Sequence, residues 1–378
     1  MRNQSRNEFL EEMLDRLGGH LDLPRSTTQE IEGHYKAVQE YLCGDDFFQS
    51  RDILIYPQGS MRLGTVNRGL PDEDVDLDFV LQVSGSTHNT EPLKLYDRVW
   101  RRLYENERYR PMLIKKKRCI QLTYKSNFHM DILPAISAKD TGQDTRILVP
   151  DRDLKDWTFS NPKGYADWFD RESKRIQRRY ILEKAGAPTF SGDHEVEELP
   201  DPEPHSSKMP LKKSVRLIKR HRDVYFSEKP ELKPISIVLT TLATQRYNGS
   251  IDVYESMAEI INGIDLWIRE RGNNIPVVEN PTDKEEEEHE RENFADKWRK
   301  DPELYFEFRD YIFSLKEWWL SLPELSPSEL VKELSDRFGE LPVERVHKAY
   351  QEAKRKREHL GAPKVVSVNK PPQPWKKA

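Results

Sequence analysis

Positions 74–83 read DVDLDFVLQV, a run of alternating acidic and apolar side chains that constrains the fold more than any other feature. Successive side chains of a β-strand point to opposite faces, so Val75, Leu77 and Phe79 share one face while the aspartates share the other. A slip of one residue would bury the acids, and the alternation therefore also sets the register of the strand. We expect a strand with one buried face and one acidic face open to a cavity.

The aspartates of this strand, Asp74, Asp76 and Asp78, repel one another unless a positive group lies on their face. Two carboxylates one strand repeat apart can share divalent ions, and Mg²⁺ is favoured because it takes one or two carboxylates together with substrate phosphates. The best candidate for a third acid is Asp131 in FHMDILP, which points away from the apolar face of that segment. The alternative is an exposed edge strand with solvated charges, and the strand by itself fits both interpretations equally.

A glycine-serine pair lies upstream, in QGSMRLGT. Gly59 lets the backbone approach a ligand closely, and Ser60 can offer its hydroxyl and its N–H to a phosphate, especially where a helix begins. Such a pair is common, but the strand that follows adds specificity, because phosphates at Gly59 and Ser60 would lie beside metal ions at Asp76 and Asp78. The combination favours a site that binds phosphate and metal ions together.

Composition excludes several classes of protein. The chain has 378 residues, 34% of them charged, and a net charge of −5. These values fit a charge-rich globular protein and exclude a disordered polymer or a uniformly basic nucleic-acid coat. The two cysteines, Cys43 and Cys119, belong to no metal-binding motif, so we expect neither structural zinc nor a disulfide framework. No apolar stretch has membrane-spanning length, and we expect no membrane association and a cytoplasmic location.

The secondary-structure pattern changes along the chain. Strand signals dominate from Asp52 to Leu133, in DILIY, VDLDFVLQV, RCIQLTY and FHMDIL, with one helical stretch among them. Long amphipathic helices follow Asn161, interrupted by an acidic, proline-rich linker at 191–210.

These patterns predict an α/β (α+β) bilobal protein. Residues 1–160 would form the core, including a long N-terminal helix, and residues 161–360 would form a mainly helical lobe. Residues 361–378, rich in proline and basic at the end, would form a flexible tail.

The glycine-serine pair, the DxD strand and the distant third acid resemble the nucleotidyltransferase superfamily of DNA polymerase β type. The helical segments SVRLIKRHRD, PISIVLTTLA and NPTDKEEEEHERENFADKW resemble the bacterial cGAS/DncV-like nucleotidyltransferases, the CD-NTases of CBASS anti-phage defence. This resemblance implies a polymerase-β-like core and a C-terminal helical lobe similar to oligoadenylate synthase. The segments ISIVLTTLA and ENFADKW are most similar to the branch that makes cyclic trinucleotides.

The resemblance also implies roles for individual residues. Asp76 and Asp78 would bind two Mg²⁺ ions, for which Mn²⁺ could substitute, and Asp131 would bind the ion that activates the attacking ribose hydroxyl. The residues that would hold or shape the nucleotide site are Gln58, Gly59, Ser60, Thr65, Lys219 and Ser236.

Within that set, Lys219 would reach the triphosphate and Ser236 would cap a helix directed at it. A solvated basic helix face is the alternative for Lys219. Thr240, Thr244 and Asn248, about one helical turn apart, could select the base, or could form the hydrated side of their helix.

The function implied is template-independent synthesis of a cyclic oligonucleotide second messenger, a cyclic trinucleotide made mainly from ATP, with release of pyrophosphate. A HORMA-domain regulator or an E1/E2-like enzyme that conjugates the C-terminal tail would be a partner. Activation by duplex DNA is not expected, because no His and Cys cluster is present to hold a zinc loop. Two alternatives stay open: an oligoadenylate synthase-like linear polymerase or RNA-end nucleotidyltransferase, and a non-catalytic nucleotide-binding adaptor.

Overall fold

The computed structural model describes residues 2–49, 51–70, 74–85, 90–125, 128–138, 145–175, 203, 205–282 and 291–361. Its organising element is a seven-stranded sheet. The strands are β1 (Ile53–Gln58), β2 (Val75–Val83), β3 (Leu113–Lys115), β4 (Ile120–Tyr124), β5 (Phe128–Ser137), β6 (Ile147–Asp151) and β7 (Asp156–Ser160). The order is β1-β2-β5-β4-β3, and β6 pairs with β5 and β7.

Strands β2 and β5 run parallel, and the other neighbours are antiparallel. The alternation predicted for β2 is present, because Leu77 and Phe79 are fully buried while Asp76 is exposed. The parallel register sets Asp78 beside Asp131 on the neighbouring strand. The two carboxylates therefore project from adjacent positions of one sheet.

The other main elements of the described chain are α-helices. They are α1 (Arg2–His20), α2 (Arg25–Cys43), α3 (Asp46–Gln49), α4 (Gly59–Leu63), α5 (Pro92–Glu105), α6 (Pro162–Ser173), α7 (Pro210–Tyr225), α8 (Ser236–Arg246), α9 (Val253–Arg269), α10 (Asp296–Lys300), α11 (Pro302–Ser321), α12 (Pro327–Phe338) and α13 (Glu340–Gly361). None of these helices has the length and apolarity needed to cross a membrane. Most of the predicted linker and the predicted tail lie outside the described residues.

Two large hydrophobic clusters form the core. One combines the sheet with α2 and α5, and it includes Tyr35 and Phe79. The other combines the helices from α6 onward with α1, whose Leu14 and Leu17 are fully buried in it. The N-terminal segment forms two helices, α1 and α2, and the apolar stripe of α1 packs against α9 and α13. The limits near 160 and 360 stay predictions.

Candidate active site

Gly59 and Asp78 lie in direct contact at the start of α4. Gln58, the last residue of β1, pairs with Asp78 across the sheet. Gly59 has a φ of +61° and therefore a left-handed backbone. A Cβ at this position would lie 2.2 Å from Asp78 Oδ2. Glycine is thus required here twice, by its backbone conformation and by the carboxylate against it. Ser60 follows as the second residue of α4.

Asp78 and Asp131 occupy paired positions on the neighbouring strands β2 and β5. Burial, followed by the nearby negative charges of Asp76 and Asp131, raises the pKa of Asp78 to about 7. Asp131 Oδ2 accepts a hydrogen bond from the Cys119 thiol at 3.4 Å. Asp131 Oδ1 is buried and has no hydrogen-bond partner among the described residues. The pair therefore carries unfavourable charge density and an unsatisfied acceptor.

Asp76 is engaged by a residue that the sequence analysis did not assign. His129 Nε2 lies 2.5 Å from Asp76 Oδ1, and His129 Nδ1 lies 3.5 Å from Asp74 Oδ2. The hydrogen bond to Asp76 raises the pKa of His129 to about 9, so the imidazolium is the positive group on the acidic face. Within the described ranges, no group of three His, Cys, Asp or Glu side chains has the arrangement of a metal site. Asp76 is held by His129, and Asp78 is adjacent to Asp131.

Lys219 lies beside the loop that follows Ser60. Its side chain is buried, which corrects the alternative of a solvated helix face. Lys219 Nζ donates to the carbonyl of Thr65 at 3.1 Å, and the Thr65 N–H donates to the carbonyl of Ser60. Burial lowers the pKa of Lys219 to about 8. The structure thus brings Lys219, Thr65 and Ser60 together, and their role in triphosphate binding stays a prediction.

Basic neighbours of Lys219 on α7 hold the same loop. Arg216 Nε donates to the carbonyl of Val66 at 3.1 Å, and Arg220 Nη2 donates to the carbonyl of Arg68 at 2.6 Å. These contacts fix the loop that leads from α4 to the acidic strand. The sequence analysis treated the basic residues of α7 as a possible solvated face, and their burial shows a structural role instead.

Ser236 is the first residue of α8 and not its cap. The capping position belongs to Ile235, whose side chain makes no capping hydrogen bond. Ser236 Oγ instead accepts a hydrogen bond from Arg222 Nη1 at 2.9 Å. The prediction that Ser236 caps this helix is therefore wrong. A cap residue lies just before the first helical residue, and Ser236 is itself the first residue of α8.

Two of the candidates for base selection, Thr240 and Thr244, lie on α8 and are hydrogen-bonded to their own helix, while Asn248 lies beyond the end of α8. Thr240 Oγ1 donates to the carbonyl of Ser236 at 2.8 Å, and Thr244 Oγ1 donates to the carbonyl of Thr240 at 2.7 Å. Both threonines are buried. They are neither the hydrated face of α8 nor lining residues of the cavity described next.

A cavity of about 240 Å³ is lined in part by Asp78. This is the volume of roughly eight water molecules, at ~30 Å³ each. The sheet-containing half and the helical half of the chain both contribute to its lining, which includes Gln58, Gly59, Arg62, Asp78, Asn161, Tyr165, Ile237, Asn280, Glu292 and Phe294. Arg62 and the last six of these residues were not assigned from the sequence, although Asn280, Glu292 and Phe294 belong to the NPTDKEEEEHERENFADKW segment on which the family resemblance rests.

Comparison with known proteins gives consistent matches. Residues 10–172 match the SMODS domain, the Second Messenger Oligonucleotide or Dinucleotide Synthetase domain. A c-di-GMP synthase from Roseivirga ehrenbergii is 34% identical over 83% of this chain and 79% of its own. The cyclic dinucleotide synthase CdnG from Bradyrhizobium diazoefficiens is 26% identical over 91% of this chain and 83% of its own.

Solved structures show the same fold. The structure of B. diazoefficiens CdnG with GTP has a TM-score of 0.68 at 23% identity and covers 90% of this chain and 99% of its own. The structure of E. coli MS115-1 CdnC with ATP has a TM-score of 0.60 at 14% identity and covers 87% of this chain and 97% of its own. The polymerase-β-like fold predicted from the sequence is confirmed.

Proposed function

Because this chain belongs to the CD-NTase family of nucleotidyltransferases, which make cyclic oligonucleotides, we propose that it joins two nucleoside triphosphates, at least one of them GTP, into a cyclic dinucleotide. The observation that carries the proposal is the Asp78 and Asp131 pair, set in register beside Gly59 and a cavity. The relatives support the product class, since one is named as a c-di-GMP synthase and another as a cyclic dinucleotide synthase.

The cyclic trinucleotide made mainly from ATP is the second candidate. It stays a prediction, supported by the resemblance of ISIVLTTLA and ENFADKW to the trinucleotide-making branch. Both candidate products require the same reaction at the same site. They differ in the number of nucleotides joined before the ring closes and in the base that the site accepts.

The carboxylates fit Mg²⁺. The donor set consists of hard oxygen atoms, Asp131 Oδ1 is a buried acceptor without a partner in the described chain, and Asp78 is crowded by like charge that a cation would relieve. We propose that Asp76, Asp78 and Asp131 hold the metal, with Asp76 released from His129. Bound there, Mg²⁺ would neutralise negative charge on the attacking and leaving oxygens. Mn²⁺ offers a similar preference for oxygen ligands.

The protein residues position the reactants, which is the main contribution of a protein to phosphoryl transfer. Gly59 and Ser60 would bind the triphosphate of one nucleotide. Lys219 Nζ, which donates to the carbonyl of Thr65, a residue hydrogen-bonded to Ser60, would add positive charge. A ribose hydroxyl oxygen of the second nucleotide forms a bond to the α-phosphorus and loses its proton. The bond from that phosphorus to pyrophosphate breaks, and the same step at the other end of the linear intermediate closes the ring.

The biological setting is a proposal that rests on family membership. CBASS anti-phage signalling, a HORMA-domain or E1/E2-like regulator and a cytoplasmic location stay predictions. The tail on which a conjugating enzyme would act lies outside the described residues.

The test is incubation with Mg²⁺ and each nucleoside triphosphate, singly and in pairs, followed by phosphatase treatment and mass spectrometry. We expect a resistant product with the mass of two nucleoside monophosphates less two waters, formed only when GTP is present. A mass of three adenylates less three waters would support the second candidate. Linear products that phosphatase trims would support a linear polymerase, and absence of consumption would support a non-catalytic adaptor.

A further inference from the structure

We propose that Glu292 is the residue that recognises guanine in the cavity beside Asp78, and that Asn280 positions its carboxylate. This inference rests on the proposed use of GTP and adds to it the group that reads the base. It starts from the position of Glu292, which lines the same cavity as Gly59 and Asp78.

The cavity has the composition of a base-binding site. Tyr165, Ile237 and Phe294 supply apolar and aromatic surface, and Asn161, Asn280 and Glu292 supply polar groups. A few fixed polar groups within a mainly apolar lining are typical of small-molecule sites. At about 240 Å³ the cavity suits part of a nucleotide, and the Gly59 and Asp78 side of its lining is where the phosphates are proposed to bind.

The carboxylate of Glu292 is held by a hydrogen-bond network. Asn280 Nδ2 donates to Glu292 Oε2 at 3.0 Å, and the Asn280 N–H donates to the Glu292 carbonyl at 2.8 Å. Asn280 Oδ1 accepts from the N–H and the hydroxyl of Thr282. These bonds set which end of the Asn280 amide faces Glu292. Asn280 is buried, so its orientation is fixed before any ligand arrives.

Asn161 ties this network to the rest of the cavity. Its Nδ2 donates to the Thr282 carbonyl at 3.4 Å, while its Oδ1 accepts from the Gly164 N–H, capping α6. Thr282 and Asn280, which contacts Glu292, are therefore anchored to the segment that joins β7 to α6. Preorganisation of this kind lowers the entropic cost of binding.

A carboxylate at this place distinguishes guanine from adenine. Guanine presents two adjacent donors on its Watson–Crick edge, the N1–H and the 2-amino group, and a carboxylate accepts both. Adenine presents a lone pair at N1, which would face the negative charge without a hydrogen bond. A carboxylate has about four acceptor sites, so Glu292 can accept from a base and keep its contact with Asn280.

The alternative is that Glu292 only stabilises its loop through Asn280. In that case loss of the Glu292 carboxylate would weaken the binding of all nucleotides alike. The 2-amino group separates the two interpretations, because hypoxanthine, the base of inosine and of ITP, is guanine without that group.

The experiment measures the equilibrium binding of α,β-methylene analogues of GTP, ITP and ATP, which cannot release pyrophosphate. We expect the wild-type protein to bind the GTP analogue roughly 10- to 100-fold more tightly than the ITP analogue, the usual range for a hydrogen bond to a charged group. Glu292→Gln should reduce that ratio at least about fivefold, since the charge and one acceptor are lost.

Glu279→Gln is the matched control, because Glu279 is the chain neighbour of Asn280 but is exposed and pairs with Arg291 at 2.8 Å. It should leave the GTP to ITP ratio unchanged. An unchanged ratio in Glu292→Gln, or an equal loss for all three analogues, would overturn the inference. Product analysis of the wild-type protein decides the proposed function separately: a guanylate-containing product with an unchanged ratio would remove only the role of Glu292.

Discussion

At the scale of single residues, Gly59 gives the sharpest prediction. Gly59→Ala would force a left-handed backbone on a residue with a Cβ and place that Cβ 2.2 Å from Asp78 Oδ2. We expect a loss of roughly 1–3 kcal/mol in the free energy of unfolding and loss of product formation. Urea unfolding and product assays measure the two effects.

Gly33 provides the control for this substitution. It lies in α2, it is exposed, and no atom lies within 4 Å of a Cβ built there. Gly33→Ala should raise stability by about 0.5–1 kcal/mol, because glycine within a helix is unfavourable. Equal behaviour of the two variants would contradict the contact between Gly59 and Asp78.

In the absence of divalent ions, the titration of Asp78 should make the protein less stable as the pH rises. Its pKa is raised to about 7, so between about pH 4 and pH 6.5 the folded state holds a proton that the unfolded state has lost. The contribution of Asp78 to the free energy of unfolding is therefore fully present at low pH and declines as the pH rises to 7. This range lies below the titration of His129, whose pKa is raised to about 9.

Asp78→Asn should remove this pH dependence, because the amide does not titrate. The thermal midpoint of the variant should exceed that of the wild-type protein by more at pH 6.5 than at pH 4, and addition of Mg²⁺ should raise only the wild-type midpoint. A parallel pH dependence in the two proteins would refute the assignment of a raised pKa to Asp78.

Lys219 should contribute to binding through its charge. Lys219→Met keeps the length of the stem and removes the ammonium group, so we expect GTP to bind about tenfold more weakly and guanosine to bind as before. Lys229→Met serves as the control, since Lys229 is exposed and pairs with Glu307 at 3.4 Å. Equal losses for GTP and guanosine would indicate that Lys219 acts by packing alone.

At the scale of elements, the parts predicted from the sequence are those that a local pattern determines. Strand β2 was predictable because only one register buries Leu77 and Phe79 while leaving the acids accessible. Strand β6 was not, because all five of its residues are buried and no alternation marks it. Strand β3 has only three residues, too few for a periodic signal. Helix α7 was predicted as an element, but its partners were not.

The environment of α7 shows why. Its basic side chains hold carbonyls of the loop after Thr65, which lies about 150 positions earlier in the chain. A run of basic residues on a helix usually marks a solvated face, and only the tertiary contacts distinguish the two cases. The same limit applies to the cavity, whose Asn161, Asn280 and Glu292 come from separate segments. The carboxylate set was predictable because Asp76 and Asp78 share one strand face.

At the scale of the whole molecule, the helical cluster joins both ends of the described chain. Phe9 of α1 packs edge-on against Tyr350 of α13 with ring centroids 4.8 Å apart, and Val343 and Val346 are buried in the same cluster. The last helix is thus part of the core, whereas residues after Gly361 follow it.

Two truncations test this division. Removal of residues 362–378 should leave the thermal midpoint and the synthesis of product by the purified protein unchanged. Removal of residues 340–378 should lower the midpoint strongly or prevent folding, because it removes α13 and exposes the apolar surface of α1 that α13 covers. Loss of synthesis with the shorter deletion would place the tail in the catalytic unit.

The central claim is that the Asp78 and Asp131 site joins nucleotides into a ring, and the stoichiometry of pyrophosphate tests it most directly. Every bond between nucleotides releases one pyrophosphate, so a ring yields one pyrophosphate for each nucleotide incorporated, and a linear dinucleotide yields half as many. We expect one per nucleotide from the wild-type protein with GTP present, and none from Asp78→Asn or Asp131→Asn. A ratio below one, which any linear product gives, or undiminished release by either variant, would contradict the account.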